Sequence, residues 1–356
     1  MSHLIKVAIL DDYANIAPPI FKHVENIEVH SFPETRDPTD SNDFQKLVEQ
    51  LKPFSIISTM RERTPFQADL LKALPNLRLL LTTGLRNNGI DGATARSLNI
   101  TLTGATGSSK TSFSIPAPDV PPPADYDSTT QQTWALILAL AARLPQNDVS
   151  VRSGAWQSGF TTPLGGKTFG AMGLGKLGSR AARIAVQAFG MKVIGWSANL
   201  TQEKADEAAE AQGLPRGTFK AVSKQELFEQ ADLLSVHLVL GERTRGIVGK
   251  EDLARMKKTA LFVNCSRGPL VDEHALYEVL DKGRIRGAAM DVYWKEPLPK
   301  NSRWRTTKWS EDGRSDVVFS PHMGYVNEGT MHAWYVEQAK NVKRWLNGEE
   351  LLHVMN

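Results

Sequence analysis

The sequence contains one cysteine in 356 residues, Cys265. That excludes an internal disulfide and any metal site built on several thiolates. Charge of one sign is missing too: 42 Lys and Arg face 39 Asp and Glu, a net +3 with no block of like charges, so no nucleic-acid surface is expected. Long apolar runs are absent. The longest, about Trp134–Ala142, falls far short of the roughly 20 residues that a membrane-spanning helix needs, so no membrane partner is expected. None of the 8 histidines falls into a metal-ligand spacing, and no metal is expected. With 41% apolar and 23% charged residues, the composition is that of an ordinary folded protein, long enough for two domains. A cytoplasmic location is expected, because strand-like Ile5–Leu10 has no leader pattern before it and Leu-His-Val-Met-Asn356 matches no retention signal.

What is present is alternation. Strand-like segments at Ile5–Leu10, Ile27–His30, Ser55–Ser58, Leu79–Thr82 and Ile100–Leu102 alternate with helix-like Asp43–Leu51 and Gln67–Leu74, which predicts a small parallel sheet. The pattern breaks over Gly104–Thr130, where Ile115-Pro-Ala-Pro-Asp-Val-Pro-Pro-Pro123 fits neither helix nor central strand. Such a stretch is either a functional lid or a tether. Gly104-Ala-Thr-Gly-Ser-Ser109-Lys110-Thr111 imitates a Walker A loop, but it runs into prolines instead of opening a helix, so no triphosphate site is expected.

An apolar helix at Trp134–Leu144 leads into a second run of alternation. Six strands are predicted, at Thr168–Met172, Met191–Trp196, Leu233–Leu238, Ala260–Val263, Gly287–Val292 and Val317–Phe319, with helices between them: a doubly wound parallel sheet. A last amphipathic helix, about Glu328–Leu346, is expected to fold back onto the first domain. The predicted division is 1–128 plus 324–356 for a discontinuous domain with a proline-rich loop at about 104–128, and 129–323 for the other.

The second sheet carries a dinucleotide fingerprint, Gly173-Leu-Gly175-Lys176-Leu177-Gly178, after a strand and before a helix. Gly173 permits the tight turn, Gly175 lets a pyrophosphate approach the backbone, and Gly178 permits close helix–strand packing. The phosphates then meet the open N–H groups and positive dipole end of the helix. About 20 residues on, where an acidic residue usually holds the adenosine ribose, stands Ser197, in Trp196-Ser-Ala-Asn199-Leu-Thr201. Serine does not repel a 2′-phosphate, and Ser197, Asn199 or Thr201 can donate to one. With no Arg nearby, the preference tilts only slightly toward NADP(H), with NAD(H) the other option.

Three polar side chains follow three predicted strands of that sheet: Arg267, Glu296 and His322. Ligands of open parallel sheets bind past the carboxyl ends of strands. Arg267 offers a planar fork for a carboxylate, and His322 a proton near neutral pH. Glu296 can orient His322 and favour its protonated form. Taken singly, such residues are as often ion-pairing, structural or solvated. Together they supply what hydride reduction of a 2-oxo acid requires. Asp11-Asp12 reads as a cap or turn, His237 as packing on the cofactor side, and Tyr325 as a wall of the substrate pocket.

In the order and spacing of Gly173–Gly178, Ser235-Val-His-Leu238 with Thr244, Asn264-Cys-Ser-Arg-Gly268, Val271-Asp-Glu273, Asp291-Val-Tyr293, Glu296-Pro297 and Pro321-His322, the chain resembles the D-isomer-specific 2-hydroxyacid dehydrogenase family over almost its whole length. The resemblance implies two doubly wound α/β domains, Rossmann-like and flavodoxin-like, with the active site in a cleft between them, and a homodimer built on the cofactor domain. By the same resemblance Arg267 binds the substrate's carboxylate and carbonyl, and His322 with Glu296 forms the acid–base pair. Lys176 and Leu177 line the pyrophosphate and Ser197 the ribose, while Cys265, Ser266 and Asp291 lie at the nicotinamide end. Thr83-Gly84-Leu85-Arg86 matches the substrate loop. Glyoxylate and hydroxypyruvate reductases are the nearest activities. Two departures stand out: Ser197 in place of the usual Asp, and the long proline-rich segment. A dinucleotide-sensing, non-catalytic protein like the corepressors on this fold is the competing reading, and retention of all three chemical residue types argues against it. A formate dehydrogenase fits less well, since it predicts Gln at 296.

Overall fold

The apolar tetrads of this sequence become strands covered on both faces. Every residue of Ile56–Thr59, Leu79–Thr82, Leu233–Val236, Leu261–Asn264 and Gly287–Met290 is buried, as a parallel sheet between helix layers demands. A computed structural model describes residues 4–107 and 127–356, which divide into two units: one holds residues 4–107 and Val326–Asn356, the other residues 127–325.

The first unit contains β1 (Ile5–Leu10), β2 (Ile27–Phe32), β3 (Ile56–Thr59), β4 (Leu79–Thr82) and β5 (Thr101–Thr103), all parallel in the order β2-β1-β3-β4-β5. That is the flavodoxin-like order. The helix Glu328–Leu346 belongs to this unit and packs against the helix Ala17–Phe21. Asp12 ends β1 as a cap, accepting the N–H groups of Ile16 (3.1 Å) and Ala17 (2.8 Å).

In the second unit β6 (Thr168–Met172), β7 (Lys192–Trp196), β8 (Phe219–Ala221), β9 (Leu233–Val236), β10 (Leu261–Asn264), β11 (Gly287–Met290) and β12 (Asp316–Phe319) are parallel in the order β12-β11-β10-β9-β6-β7-β8. The order reverses between β6 and β9, which makes the switch point where Rossmann-like sheets bind ligands. Side-chain caps fix the helix starts. Asp127, Thr201 and Asp272 each accept an N–H of the first turn, and Ser223 with Glu226 forms a capping box; each cap stabilises its helix by about 1 kcal/mol.

The second sheet has seven strands, not the six expected. The seventh, β8, is a three-residue edge strand with only Phe219 fully buried, too short to show a period. The helix expected at Trp134–Leu144 runs instead over Ser128–Ala141. Asp127 starts it, and it stops before Arg143, whose φ of +53° breaks the spiral. A second helix, Leu144–Arg152, follows; its Leu144, Val149 and Val151 are exposed, so no apolar stripe announced it. The proline run and most of the Walker-like segment lie outside the described residues. Among the described residues no helix is long and apolar enough to cross a membrane.

Candidate active site

Two groups of residues meet the carboxyl edge of the second sheet. On the β6 side the site is made of room. Gly173 has φ +105°, and a Cβ there would lie 2.9 Å from the His237 carbonyl oxygen. A Cβ on Gly178 would lie 1.9 Å from the Gly173 oxygen, so only glycine lets the helix Lys176–Phe189 approach the strand this closely. Gly175, which caps that helix without a side chain, has nothing within 4 Å of where a Cβ would be. Open space thus lies where the helix presents its first N–H groups, and the residues present fit a pyrophosphate. A cavity of about 360 Å³ continues from here, lined by Gly173, Gly175, Ser197, Asn199, Lys204 and His237 among others.

Lys204 was not anticipated. It lies on the helix Gln202–Glu210, beyond the strand end where the ribose contact is sought, and its Nζ donates to the Asn199 carbonyl at 3.0 Å. Thr201 caps the same helix. Thr244 is half-buried and ties the loop after β9, accepting the Gly241 N–H at 2.8 Å and donating to the Val239 carbonyl at 2.7 Å. Burial pushes His237 down to about 4, so its imidazole is neutral at pH 7, and its Nε2 lies 2.9 Å from Ser235 Oγ.

On the β10–β12 side the site is made of fixed side chains. Paired residues Asn264, Met290 and Phe319 put the three strand ends at one level. After β10, Asn264 braces the turn: its Oδ1 accepts the Ser266 N–H at 3.0 Å and its Nδ2 donates to the Arg267 carbonyl at 3.1 Å. Ser266 Oγ reaches the Val236 carbonyl at 2.8 Å, and Arg267 Nη1 donates to the Ser266 carbonyl at 2.8 Å. Gly268 packs on the Tyr293 backbone, where a Cβ would sit 2.2 Å from the carbonyl carbon. Cys265 is buried, and desolvation pushes its thiol up to about 12. It is a packing group rather than a nucleophile.

After β11, the Tyr293 N–H donates to Glu296 Oε1 at 2.8 Å, and Glu296 Oε2 lies 2.5 Å from His322 Nδ1. Tyr325 meets the His322 ring edge-on, with centroids 5.4 Å apart. Asp291 lies wholly buried under this turn and bonds Ser320, Met323 and Gly324.

The structure therefore brings the fingerprint and the Arg267, Glu296 and His322 segments to one sheet edge. Thr83–Arg86 stands in the other unit, after β4. There Thr83 Oγ1 accepts the Arg61 N–H at 2.9 Å, Gly84 has φ +83°, and a Cβ on Gly84 would lie 2.2 Å from Arg61 Nη1. Leu85 and Arg86 are exposed.

The fold and fingerprint define a dinucleotide-binding α/β protein. Residues 134–324, more than half of the chain, match the family model described as D-isomer specific 2-hydroxyacid dehydrogenase, NAD binding domain. The chain belongs to that family, and the matched region is an NAD-binding domain. A D-3-phosphoglycerate dehydrogenase of Methanocaldococcus jannaschii is 31% identical over 355 residues, covering 99% of this chain but 60% of that protein. This chain thus spans well under two thirds of that relative. A glyoxylate reductase of Aeropyrum pernix is 33% identical over 298 residues, 81% of this chain and 79% of that one. The crystal structure of a phosphoglycerate oxidoreductase from Vibrio cholerae O395 superposes with a TM-score of 0.81 at 34% identity, over 97% of this chain and 100% of that one.

Proposed function

We propose that the chain is a cytoplasmic NAD(P)H-dependent reductase of small 2-oxo acids such as glyoxylate or hydroxypyruvate, equivalently a D-2-hydroxyacid dehydrogenase. The observation that carries this reading is the His322–Glu296 pair, at 2.5 Å and steadied by the Tyr293 N–H, on the sheet edge that also holds the fingerprint. An ionised carboxylate only accepts, so the Glu296 contact places a proton on His322 Nδ1, and the imidazolium carries a second on Nε2, which passes to the substrate oxygen and leaves the neutral ring. Arg267 grips the carboxylate and polarises the neighbouring carbonyl. Thr83, Gly84, Leu85, Arg86 and Tyr325 are assigned to substrate contacts. The dinucleotide, when bound, supplies the hydride. Asp291 is assigned to holding the His322 turn, beside the nicotinamide role that the family resemblance suggests.

We assign NADP(H) as the favoured cofactor. Ser197 and Asn199 bring no negative charge to the pocket, and Lys204 adds a cation near the place of a 2′-phosphate. Self-association through the second unit is part of the same reading, supported by Trp156 and Phe160, exposed at 74% and 88%. Apolar groups so exposed mark interaction surfaces when they cluster.

The test is oxidation of NADPH and NADH with glyoxylate, hydroxypyruvate, pyruvate and phenylpyruvate, and reduction of both oxidised cofactors with D-3-phosphoglycerate. Turnover of a 2-oxo acid supports the reductase. Turnover of phosphoglycerate alone moves the substrate to that named for the M. jannaschii relative. Cofactor binding without any turnover favours the sensing protein instead.

A further inference from the structure

His322 has φ +60°, a left-handed conformation that a residue with a Cβ keeps only when its surroundings over-determine it. The segment Ser320–Gly324 is gripped from two sides. From beneath, Asp291 Oδ1 accepts Ser320 Oγ–H at 2.5 Å and the Met323 N–H at 2.8 Å, while Oδ2 accepts the Gly324 N–H at 2.9 Å. From the other side comes the first turn of the helix Ser128–Ala141. Ser128 Oγ and Thr129 Oγ1 both donate to the Gly324 carbonyl, at 2.9 and 3.1 Å, and Gln132 Nε2 donates to Ser320 Oγ at 2.8 Å. Three side chains of one helical turn thus hold the two ends of a five-residue segment whose middle residue is His322.

The direction of this network is fixed by its chemistry. Ser320 has one hydroxyl proton and gives it to Asp291, so it accepts from Gln132, and the amide nitrogen is the only donor Gln132 has. The helix start is held in turn. Asp127 caps it by accepting the Thr130 N–H at 3.0 Å, and Asp127 Oδ2 lies 3.7 Å from Arg180 Nη1 on the fingerprint helix. Ordinary helix packing explains the apolar face of this helix, but not three polar side chains aimed at two atoms of one turn.

We propose that Ser128, Thr129 and Gln132 are positioning residues that hold the His322 turn in its left-handed form and so set the aim of Nε2. The proposal rests on His322 being the proton donor. It is tested in the full chain with Gln132→Met and with the double variant Ser128→Ala, Thr129→Val, both beside His322→Ala. Each positioning variant is expected to lower kcat about tenfold, a modest misplacement of the acid, while the Kd for the dinucleotide and the thermal midpoint stay at the parent values. Ser128→Ala carrying Thr129→Ser, which restores one hydroxyl, is expected to regain most of the loss. A kcat within about twofold of the parent in both variants, or a fall that tracks lost cofactor affinity or lost thermal stability, overturns the proposal. If His322→Ala keeps parental turnover, the proton-donor assignment falls and takes this proposal with it. If His322→Ala is inactive while the positioning variants keep full turnover, this proposal alone falls.

Discussion

The two ends of the second sheet solve opposite problems. Beside β6 and β7, function depends on what the chain leaves out: a side chain on Gly178 would collide with Gly173, and one on Gly175 would fill the space of the ligand. Beside β10, β11 and β12, the proposed chemistry depends on what the chain supplies, and each side chain assigned to it has its own brace. Asn264 braces the Arg267 turn, the Tyr293 N–H fixes Glu296, and Asp291 underpins His322. A phosphate is bound well by backbone dipoles and room. Proton transfer needs one atom within hydrogen-bond reach of another, which only a restrained side chain provides.

The sharpest way to break this comparison is His322→Ala. Turnover should fall on the order of 10²–10⁴ while dinucleotide binding, measured by fluorescence titration, stays intact. A parallel loss of binding would mean that the two ends are not separable. Next in size is a contrast between two glycines. Gly178→Ala forces backbone apart and should destabilise the fold by about 1–3 kcal/mol, read as a lower thermal midpoint, with cofactor affinity falling alongside. Gly175→Ala should leave the midpoint unchanged and weaken the cofactor alone. Equal midpoints for both variants would contradict the close approach at Gly178.

A smaller effect is expected from Lys204→Ala, which should raise the KM for NADPH about tenfold, equivalent to about 1.4 kcal/mol, and leave that for NADH unchanged. Equal changes for both cofactors would remove Lys204 from phosphate recognition. The smallest concerns His237, whose folded value of about 4 lies below its ordinary 6.5. Between those values the unfolded chain binds the extra proton, so the stability that this neutral imidazole contributes is complete above pH 6.5 and declines as the pH falls toward 4. Urea midpoints at pH 7 and pH 4.5 should differ less in His237→Gln than in the parent. An identical pH dependence in the two proteins would show that His237 titrates normally.

Most of this architecture is written locally. Continuous apolar runs such as Leu79–Thr82 and Leu261–Asn264 fill strands with two covered faces, and the glycine spacing at Gly173–Gly178 is a steric demand that no other residue meets. Hence the two sheets, the fingerprint and the strand-end positions of Arg267, Glu296 and His322 could be read before any coordinates. Local pattern fails where burial is slight. The strand Phe219–Ala221 buries a single residue fully, and the helix Leu144–Arg152 shows its apolar side chains to solvent.

What the sequence determined by itself is which side chains are proposed for the reaction and the edge they share, because strand direction and side-chain type follow from short-range pattern. Only the tertiary structure decided how those groups are held. Gln132 reaches Ser320 across 188 positions and Ser128 reaches Gly324 across 196, while Lys204 enters the pocket from a helix rather than from the strand end. Hydrogen bonds between residues so far apart leave no periodic trace in the chain. They exist only once the helices have packed on the sheet and brought donor and acceptor to within 3 Å.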